Sequence, residues 1–520
     1  MVLLIFVTDK TDMAKPVFKE YSPGQAFLIP PSFDDLIDAN HPVRVVNDVV
    51  DKIDLKLLMD QYKGGGTSSY HPKMMLKVMV YSYLTNIYSS RKMEAALKEN
   101  IHFMWLSGMN TPDHNTLNSF RGHRLKDTLK DIFVQIVQLL ADAGLISLKE
   151  VYVDGTKIES VANRYSFVWG NSIKTNKEKI KKQIDELWQY AQKVAAEELD
   201  EPEPPTFDKI DAQKVKETIE KIEAALKDKQ VSKQVKQKLN YAKKNWPANL
   251  EKYAEQEEIM GDRNSYSKTD PDATFMRMKE DHMLNGQLKP AYNVQVSSND
   301  QYIVDYSIHQ TPGDTTTFVP HLEQHKAQYG QHPDAATADA GYGSEQNLQY
   351  LEDKAIEGYV KYSYFDKEQS STHLDNHPFA PSNLYYNKEK DCYYCPMGQP
   401  MQNIGTFTKT TAAGFEQQIT KYQAANCESC PLNGICHKSK GNRVIEINFN
   451  LNRLKAIAHR NLTSEKGIKH RKKRPWDVES VFGNIKSNHG FRRFMLRGKK
   501  KVGIEMGLLA IAQNLRKKAA

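Results

Sequence analysis

Glu150-Val151-Tyr152-Val153-Asp154-Gly155-Thr156 is the stretch at which the sequence pattern changes from helical to β-rich. Its β-branched and aromatic side chains favour an extended backbone, and the run closes with an acidic residue and a glycine. This composition predicts a buried strand that ends near Asp154. We expect an α/β domain to begin at this strand and to cover residues 148–520.

The elements predicted after this strand follow in the order hairpin, helix and strand. Two β-rich runs, 291–297 and 302–308, flank the segment Ser298-Asn299-Asp300-Gln301, whose residues are typical of a hairpin turn. A helix at about 315–328 comes next, and a small-residue strand at 335–339 ends in an aspartate. This order of elements indicates an α/β fold.

The sequence before the first strand is predicted to form helices. The apolar run at 74–84 is too long for one strand, and a second run from Asp127 places its apolar residues on one side of a helix that Gly144 would end. We therefore expect a helical N-terminal domain over residues 13–147. Because Met13 begins a more usual start for a soluble protein, residues 1–12 are predicted to be an over-extended start, disordered and dispensable.

Between the first strand and the hairpin, residues 171–262 are strongly charged and have helical periodicity. Apolar residues recur at helical spacing in two halves, which Pro202-Glu203-Pro204-Pro205 separates. The pattern predicts an insertion that folds as an antiparallel helical hairpin. Such a hairpin either packs on itself alone or contacts DNA or a second subunit.

All five cysteines lie in a second predicted insertion, at residues 380–445. An odd number of cysteines does not suit a disulfide framework. Two Cys-x2-Cys pairs have the spacing of a zinc ribbon, because both thiolates of a pair can reach one tetrahedral ion. We expect one structural Zn²⁺, with unliganded core thiols as the alternative. The predicted ligands are Cys392, Cys395, Cys427 and Cys430, with Cys436 as an alternative ligand.

The composition is that of a water-soluble globular protein with one strongly basic region. Of the 520 residues, 39% are hydrophobic, the mean hydropathy is −0.65, and no run approaches the roughly 18 apolar residues of a membrane span. The opening apolar run lacks a basic start, so we expect a cytoplasmic protein without a secretion signal. Residues 466–501 contain 13 Lys or Arg against two acidic residues, which fits a polyanion-binding surface or a solvated basic tail.

Three acidic motifs resemble those of a known enzyme family. They are 153–157 (Val-Asp-Gly-Thr-Lys), 338–343 (Ala-Asp-Ala-Gly-Tyr-Gly) and 478–486 (Val-Glu-Ser-Val-Phe-Gly-Asn-Ile-Lys). In this order they are similar to the motifs of bacterial insertion-sequence DDE transposases, whose catalytic domain has a ribonuclease H-like fold. The segments 40–44, 70–72, 89–91 and 111–114 resemble the N-terminal region of these proteins.

The resemblance implies an enzyme that cuts and joins DNA with two Mg²⁺ or Mn²⁺ ions. Asp154, Asp339 and Glu479 would be the catalytic residues and would hold these ions, because hard divalent cations prefer oxygen ligands. The expected partners are transposon-end DNA and target DNA, and assembly on two ends implies a homodimer on DNA. The N-terminal domain would serve DNA binding or assembly, and no membrane is involved.

The last motif also has a helical geometry that suits this role. Apolar residues recur at the i, i+3, i+4 and i+7 positions from Val478, and Glu479 and Lys486 lie two turns apart on one face. Pro475 suits the first turn of this helix. Lys486 could therefore reach a phosphate near Glu479. The predicted DNA-contacting residues are Arg471, Lys472, Lys473, Arg474, Lys486, Arg497, Lys499 and Lys500.

Two other functions share parts of this pattern. A domesticated, inactive DNA-binding protein would have lost one of the three acidic residues, and all three are present. A ribonuclease H-like nuclease without strand transfer would keep the same three residues. The DNA products alone would distinguish such a nuclease from a transposase.

Overall fold

The centre of the protein is a mixed sheet of six strands. The computed structural model describes residues 32–62, 69–195, 210–278, 286–369 and 378–520, and the disorder predicted for residues 1–12 lies outside them. The first eight strands in chain order, six of which form this sheet, are β1 (Glu150–Glu159), β2 (Phe167–Trp169), β3 (Ser265–Ser267), β4 (Thr274–Arg277), β5 (Leu288–Asn299), β6 (Tyr302–His309), β7 (Ala335–Ala338) and β8 (Glu357–Val360). β2 and β3 pair only with each other among the described strands.

β1 lies in the middle of this sheet. It runs antiparallel to β5 on one side and parallel to β7 on the other. β8 continues the sheet beyond β7, and β6 and β4 both pair with the far side of β5. The predicted order of strand, hairpin, helix and strand is therefore confirmed.

The turn between β5 and β6 has the backbone that a tight hairpin requires. Asp300 and Gln301 have φ values of 50° and 64°. Positive φ at both central residues is the signature of a type I′ turn, whose twist matches that of the flanking strands. β5 begins at Leu288, earlier than predicted, because its first residues pair with β4.

Helices precede the sheet, as predicted, and share its hydrophobic core. Buried side chains of these helices and of the central strands form one continuous cluster. The predicted boundary between residues 147 and 148 is therefore not a boundary between two cores. The helices are α1 (Pro42–Lys52), α2 (Lys56–Met59), α3 (Pro72–Leu84), α4 (Ser90–Glu99), α5 (Ile101–Ser107), α6 (His114–Ser119) and α7 (Leu129–Asp142), with a π-type turn at Phe120–Arg124.

Three helices, rather than the predicted hairpin of two, occupy the described part of residues 171–262. The second predicted half is divided at residues 226–232, where Ser232 caps a new helix by accepting a hydrogen bond from the Val235 N–H group. The three helices form a hydrophobic cluster of their own, so this unit packs on itself. They are α8 (Gly170–Val194), α9 (Ala212–Ala225) and α10 (Lys233–Met260).

A second sheet, entirely antiparallel, contains the cysteine pairs near one end. Each of its five strands pairs with the next one along the chain, and the third and fourth strands form its longest hairpin. The preceding helices are α11 (Phe318–Tyr329), α12 (Glu345–Asp353) and α13 (Phe365–Glu368). The strands are β9 (Tyr386–Asn387), β10 (Cys392–Tyr394), β11 (Pro400–Thr410), β12 (Glu416–Ala424) and β13 (Val444–Ile447).

The last part of the chain is helical and returns to the central sheet. Its helices are α14 (Phe449–Thr463), α15 (Glu465–Arg474), α16 (Ser480–Gly483) and α17 (Lys499–Ala519). Residues 465–488 form one uninterrupted helical segment, in which Pro475–Glu479 and Asn484–Asn488 are wide π-type turns. The prediction that Pro475 begins a helix is therefore wrong. A wide turn accommodates a residue that lacks an N–H group and whose ring crowds the preceding turn.

α17 joins the two ends of the chain through a buried polar network. Glu505 is fully buried and accepts a hydrogen bond from the Tyr83 hydroxyl at 3.1 Å, while Arg121 donates to the same hydroxyl oxygen. The backbone N–H groups of Met495 and Leu496 donate to the other Glu505 oxygen. Burial raises the pKa of Glu505, and these donors favour its charged form.

Candidate active site

Three carboxylates from distant parts of the chain lie around one arginine. The Arg474 Nη2 atom is 3.2 Å from Asp154 Oδ1 and 3.7 Å from Asp339 Oδ2. The Arg474 Nη1 atom is 2.9 Å from Glu479 Oε1. We call Asp154, Asp339 and Glu479 the acidic triad. One guanidinium contacts all three members, so the fold brings the three acidic motifs to one place.

Asp154 lies within β1, beside the end of β7. Because Tyr152 pairs with Thr337 in the parallel register, two further residues along each strand bring Asp154 level with Asp339. β1 continues to Glu159, since its second half pairs with β5. The predicted strand end at Asp154 is therefore wrong.

The position after Asp154 has no room for a side chain. A Cβ atom on Gly155 would lie 2.3 Å from Gln295 Nε2 and 2.7 Å from Asp314 Oδ1. Gln295 is held in place because it donates to Asp314 Oδ1 and accepts a hydrogen bond from the Tyr342 hydroxyl. This packed layer of polar side chains holds β1 in place beside Asp154.

Asp339 directly follows β7 and begins one turn of 3₁₀ helix, Ala340–Tyr342. Its Oδ1 atom accepts a hydrogen bond from the Gly341 N–H group at 2.8 Å. A Cβ atom on Gly343 would lie 2.2 Å from the Lys361 carbonyl oxygen. Neither glycine has a positive φ. The requirement at Gly343 is thus space beside the neighbouring backbone, not a backbone conformation that only glycine adopts.

Glu479 is carried by a helix that a buried aspartate fastens to the sheet. Asp477 accepts hydrogen bonds from Ser298 Oγ at 2.6 Å, from the Asp300 N–H group at 2.7 Å and from the Gln301 N–H group at 3.2 Å. Burial raises the pKa of Asp477, and these three donors oppose that rise. Sequence pattern alone does not distinguish Asp477 from an ordinary first-turn acid.

The apolar stripe predicted beside Glu479 is confirmed. Its residues pack against the core with almost no exposed surface, and Glu479 lies at the edge of the stripe, 52% exposed. The stripe therefore orients the helix so that the Glu479 carboxylate faces Arg474, beside the other two members of the acidic triad. The buried residues are Val478, Val481, Phe482 and Ile485.

The donor chemistry of the acidic triad suits hard divalent cations. Three carboxylates face a single cationic side chain, and Asp339 and Glu479 are 43% and 52% exposed, so solvent ions can reach them. Among the residues that the structure describes, no three His, Cys, Asp or Glu side chains close around a common point as metal ligands. At the acidic triad, Arg474 occupies the space between the carboxylates.

A cavity of about 880 Å³ extends from the acidic triad and has a cationic wall. Glu159, almost fully buried on the same strand as Asp154, accepts two hydrogen bonds from the Arg164 guanidinium, and Lys289 lies 3.7 Å from it. Sequence pattern predicted only Arg474 and Lys486 of this wall, because its residues converge from separate segments. The basic residues lining the cavity are Lys157, Arg164, Lys289, Arg474, Lys486 and Arg492.

The predicted DNA-contacting residues are distributed over different surfaces. Arg474 and Lys486 line the cavity of the acidic triad, whereas Lys499 and Lys500 line a separate cavity of about 760 Å³ together with Lys126 and Lys130. The remaining four residues lie outside both cavities. Arg471 packs over the Phe365 ring, Lys472 is exposed, Lys473 pairs with Asp300 at 2.7 Å, and Arg497 donates to the Val161 carbonyl.

The five cysteines separate into one buried thiol and a group of four. Cys392 is 1% exposed and lies in β10, opposite Asn387 and Gln402. The other four line one small cavity of about 20 Å³, which we call the cysteine cavity. The four are Cys395, Cys427, Cys430 and Cys436.

Comparison with known proteins finds two family matches, one toward each end of the chain. Residues 31–123 match the model described as transposase domain (DUF772), and residues 394–519 match the model described as transposase DDE domain. The second match contains Glu479 and Arg474, while Asp154 and Asp339 precede it. No curated protein matches the chain. No helix in the described ranges has the length and apolar character needed to cross a membrane.

A DDE domain implies a ribonuclease H-like fold, which agrees with the mixed α/β architecture around β1. In that fold, acidic residues from separate elements meet beside the central strands, as the acidic triad does beside β1 and β7. The two family matches, one toward each end of the chain, indicate an insertion-sequence DDE transposase.

Proposed function

We propose that this transposase binds the ends of its insertion sequence, hydrolyses a phosphodiester bond at each end and joins the freed 3′-OH groups to target DNA. The observation that carries the proposal is the convergence of Asp154, Asp339 and Glu479 on one guanidinium. Side chains from three elements meet there in a set of oxygen donors suited to two Mg²⁺ or Mn²⁺ ions.

The cationic wall supports DNA as the substrate. Arg164 and Lys289 are held beside the buried Glu159 carboxylate, and Lys486 lines the same cavity two helical turns from Glu479. Cations fixed beside a set of carboxylates suit a substrate that carries negative charge along its length. The phosphate backbone of a DNA strand would lie along this wall with one phosphodiester at the acidic triad.

Both reactions are in-line displacements at phosphorus. In the first, the oxygen of water bonds to phosphorus as the bond to the 3′ oxygen breaks. In the second, that 3′ oxygen bonds to a target phosphate as a target phosphodiester breaks. Bound divalent ions would lower the pKa of the attacking group and stabilise the leaving oxygen. The acidic triad would hold these ions and the lysines and arginines of the wall would position the phosphates, so no covalent enzyme intermediate would be needed.

Arg474 has a role on either side of metal binding. Without metal it neutralises part of the charge of the acidic triad. When divalent ions take that place, its guanidinium becomes available to a DNA phosphate near Glu479, for which its planar donor pairs are well suited. The predicted DNA contacts at Arg471, Lys472, Lys473, Arg497, Lys499 and Lys500 would extend binding beyond the cavity.

The wider organisation of the reaction follows from its two DNA ends. A homodimer on DNA would bring one acidic triad to each end. The helical region 13–147 would serve DNA binding or assembly, and the catalytic region 148–520 would carry the insertions 171–262 and 380–445. The reaction would take place on DNA in the bacterial cytoplasm.

Charge-neutral substitutions of the acidic triad test the proposal. Asp154→Asn, Asp339→Asn and Glu479→Gln keep side-chain size but remove the charge that holds the ions, so each should abolish cleavage and joining with Mg²⁺ or Mn²⁺ while binding to element-end DNA survives. Gel assays on a DNA fragment carrying the sequences that flank the gene measure all three activities.

Glu465→Gln is the matched control, because Glu465 is an exposed acid at the start of the same helical segment. It should cleave as the wild type does. Near wild-type cleavage by any triad variant would remove that residue from the catalytic set, and near wild-type cleavage by all three would overturn the mechanism. Cleavage without joining in the wild type would identify a nuclease rather than a transposase.

A further inference from the structure

We propose that the cysteine cavity is a zinc site with Cys395, Cys427, Cys430 and Cys436 as its four ligands, and that Cys392 is not one of them. This assignment keeps the zinc expected from the Cys-x2-Cys spacing but changes the ligand set. The proposed zinc site takes no part in the transposition chemistry described above. The assignment therefore does not depend on the acidic triad.

The size and lining of the cavity select four of the five thiols. Its volume of about 20 Å³ admits one water-sized particle. Four thiols line it, which is the number that a closed tetrahedral structural site requires. Cys392 does not line it and instead lies at the start of β10, with its side chain buried.

Backbone N–H groups already point at two of the sulfurs. The Gln399 N–H group donates to Cys395 Sγ at 3.4 Å, and the Arg443 N–H group donates to Cys427 Sγ at 3.4 Å. The first contact closes the turn from Cys395 to Gln399, in which Gly398 has a φ of 76°. Such donors stabilise a sulfur that carries negative charge, as a metal-bound thiolate does.

A buried arginine identifies Cys436 as the fourth ligand. Arg443 is 5% exposed, and its Nη1 atom donates to Cys436 Sγ at 2.9 Å. Its Nη2 atom donates to the Phe379 carbonyl, and no ion pair between Arg443 and Asp or Glu is found within the described residues. A buried cation requires a nearby anion. Thiolates around a zinc ion would supply that negative charge.

His437 is the competing donor at this position. Its Nδ1 atom is 2.7 Å from Ser439 Oγ, while its Nε2 atom is buried without a hydrogen-bond partner. The contact between Arg443 and Cys436 favours the thiolate over this imidazole. The four sulfurs do not yet surround a common point, so zinc binding involves rotation of these side chains into the cavity.

The ion would join segments that the sheet alone leaves apart. Cys395 follows β10, whereas the other three ligands lie in the connection between β12 and β13. Four thiolates match the preference of zinc among divalent ions. Metal binding would therefore close the end of the second sheet and contribute to its stability.

Metal content of the purified full-length protein tests the assignment. Mass spectrometry of the metals should find close to one zinc per wild-type chain and per Cys392→Ser chain. Cys395→Ser, Cys427→Ser, Cys430→Ser and Cys436→Ser should each lose most of it, and His437→Asn should keep it. Iron in place of zinc, loss of zinc in Cys392→Ser, or retention in Cys436→Ser would overturn the proposal.

A cobalt measurement tests the assignment even if other serine variants fail to fold, because it uses only the wild-type and Cys392→Ser proteins. Wild-type and Cys392→Ser proteins loaded with Co²⁺ should show the same intense tetrahedral and thiolate charge-transfer absorption, because their four ligands are the same. A weaker thiolate band in Cys392→Ser would place Cys392 in the site. Folded wild-type protein that binds neither Zn²⁺ nor Co²⁺ would refute it entirely.

Discussion

Two arginines lie beside groups of candidate metal ligands in the described part of the chain, and their surroundings differ. Arg474 lies among the carboxylates of the acidic triad, of which Asp339 and Glu479 are about half exposed. Arg443 lies beside the cysteine cavity and is almost fully buried. Solvent ions can reach Asp339 and Glu479, whereas the four cysteines that line the cysteine cavity are only partly exposed. Exposure of the ligands thus separates a site that must take up and release metal from one that keeps it.

The two sites also differ in how the chain builds them. The acidic triad unites β1, the end of β7 and the helical segment 465–488, so it exists only when the central sheet is complete. The cysteine cavity comes from residues between Cys395 and Arg443. The ligands proposed for zinc therefore lie within one stretch of the chain, whereas the three carboxylates come from distant parts of it.

Chelation should separate the two sites by the largest margin. Treatment of the folded protein with a chelator should abolish DNA cleavage completely, because the ligands of the acidic triad are exposed, and added Mg²⁺ should restore it. Zinc content, measured on the same sample, should stay near one per chain. Loss of zinc and of cleavage at the same rate would break the comparison between the two sites.

Replacing Arg474 should change metal affinity by a smaller amount. In DNA-free protein, Arg474→Gln removes the cation that competes with divalent ions, so Mn²⁺ should bind about tenfold more tightly, the scale of a few partly exposed ion pairs. Calorimetric titration with Mn²⁺ measures the change. Lys472→Gln, which alters the same charge at an exposed position of the same helix, should have little effect. Weaker Mn²⁺ binding in Arg474→Gln would mean that Arg474 supports the metal site rather than occupying it.

The smallest expected effect is a loss of stability at mildly acidic pH, which limits the pH range in which the two sites can be compared. Burial lowers the pKa of His321 from 6.5 to about 4, so the unfolded chain takes up the proton first as the pH falls. The stability from neutral His321 is complete above 6.5 and is lost between 6.5 and about 4. From about pH 7.5 to about pH 6.0 the free energy of unfolding should fall by about 1 kcal/mol from this residue.

Urea unfolding at the two pH values measures this loss. His321 lies between the Ser297 and Ser307 hydroxyls, and His321→Gln keeps a polar partner for them but does not titrate. The variant should therefore be less sensitive to pH than the wild type. Equal sensitivity in both proteins would show that His321 does not contribute to the pH dependence of unfolding. In that case, zinc release measured at acidic pH would need no correction for the titration of His321.

Local sequence pattern predicted the elements around the acidic triad because turn residues and apolar spacing within each segment determine them. The β5–β6 hairpin follows from its turn residues, and the face of the helix carrying Glu479 follows from apolar spacing around Val478. Where the local signal was weak, the prediction failed. The break between α9 and α10 contains neither Pro nor Gly, so one helix was expected where Ser232 begins a second.

Other features depend on contacts that no local pattern contains. Glu159, Arg164 and Lys289 form their cluster only because β1 and β5 pair. Asp477 acquires its role from the turn at Asp300, which lies far away in the sequence. The spacing of the cysteines likewise predicts a metal, but it does not show that Cys392 is buried in β10 and does not line the cysteine cavity. Tertiary packing therefore chooses among residues that sequence pattern treats as equivalent.

The position of α17 has a consequence for synthesis of the protein on the ribosome. This helix packs on β6 and on α1, α3 and α7, with residues such as Leu508 fully buried, and Glu505 accepts the Tyr83 hydrogen bond. The first helices to be translated therefore gain their packing partner only when the last one has been made. Nascent chains must wait to complete their core, and a polypeptide from a copy of the gene truncated at its 3′ end would expose that core and be a substrate for proteases.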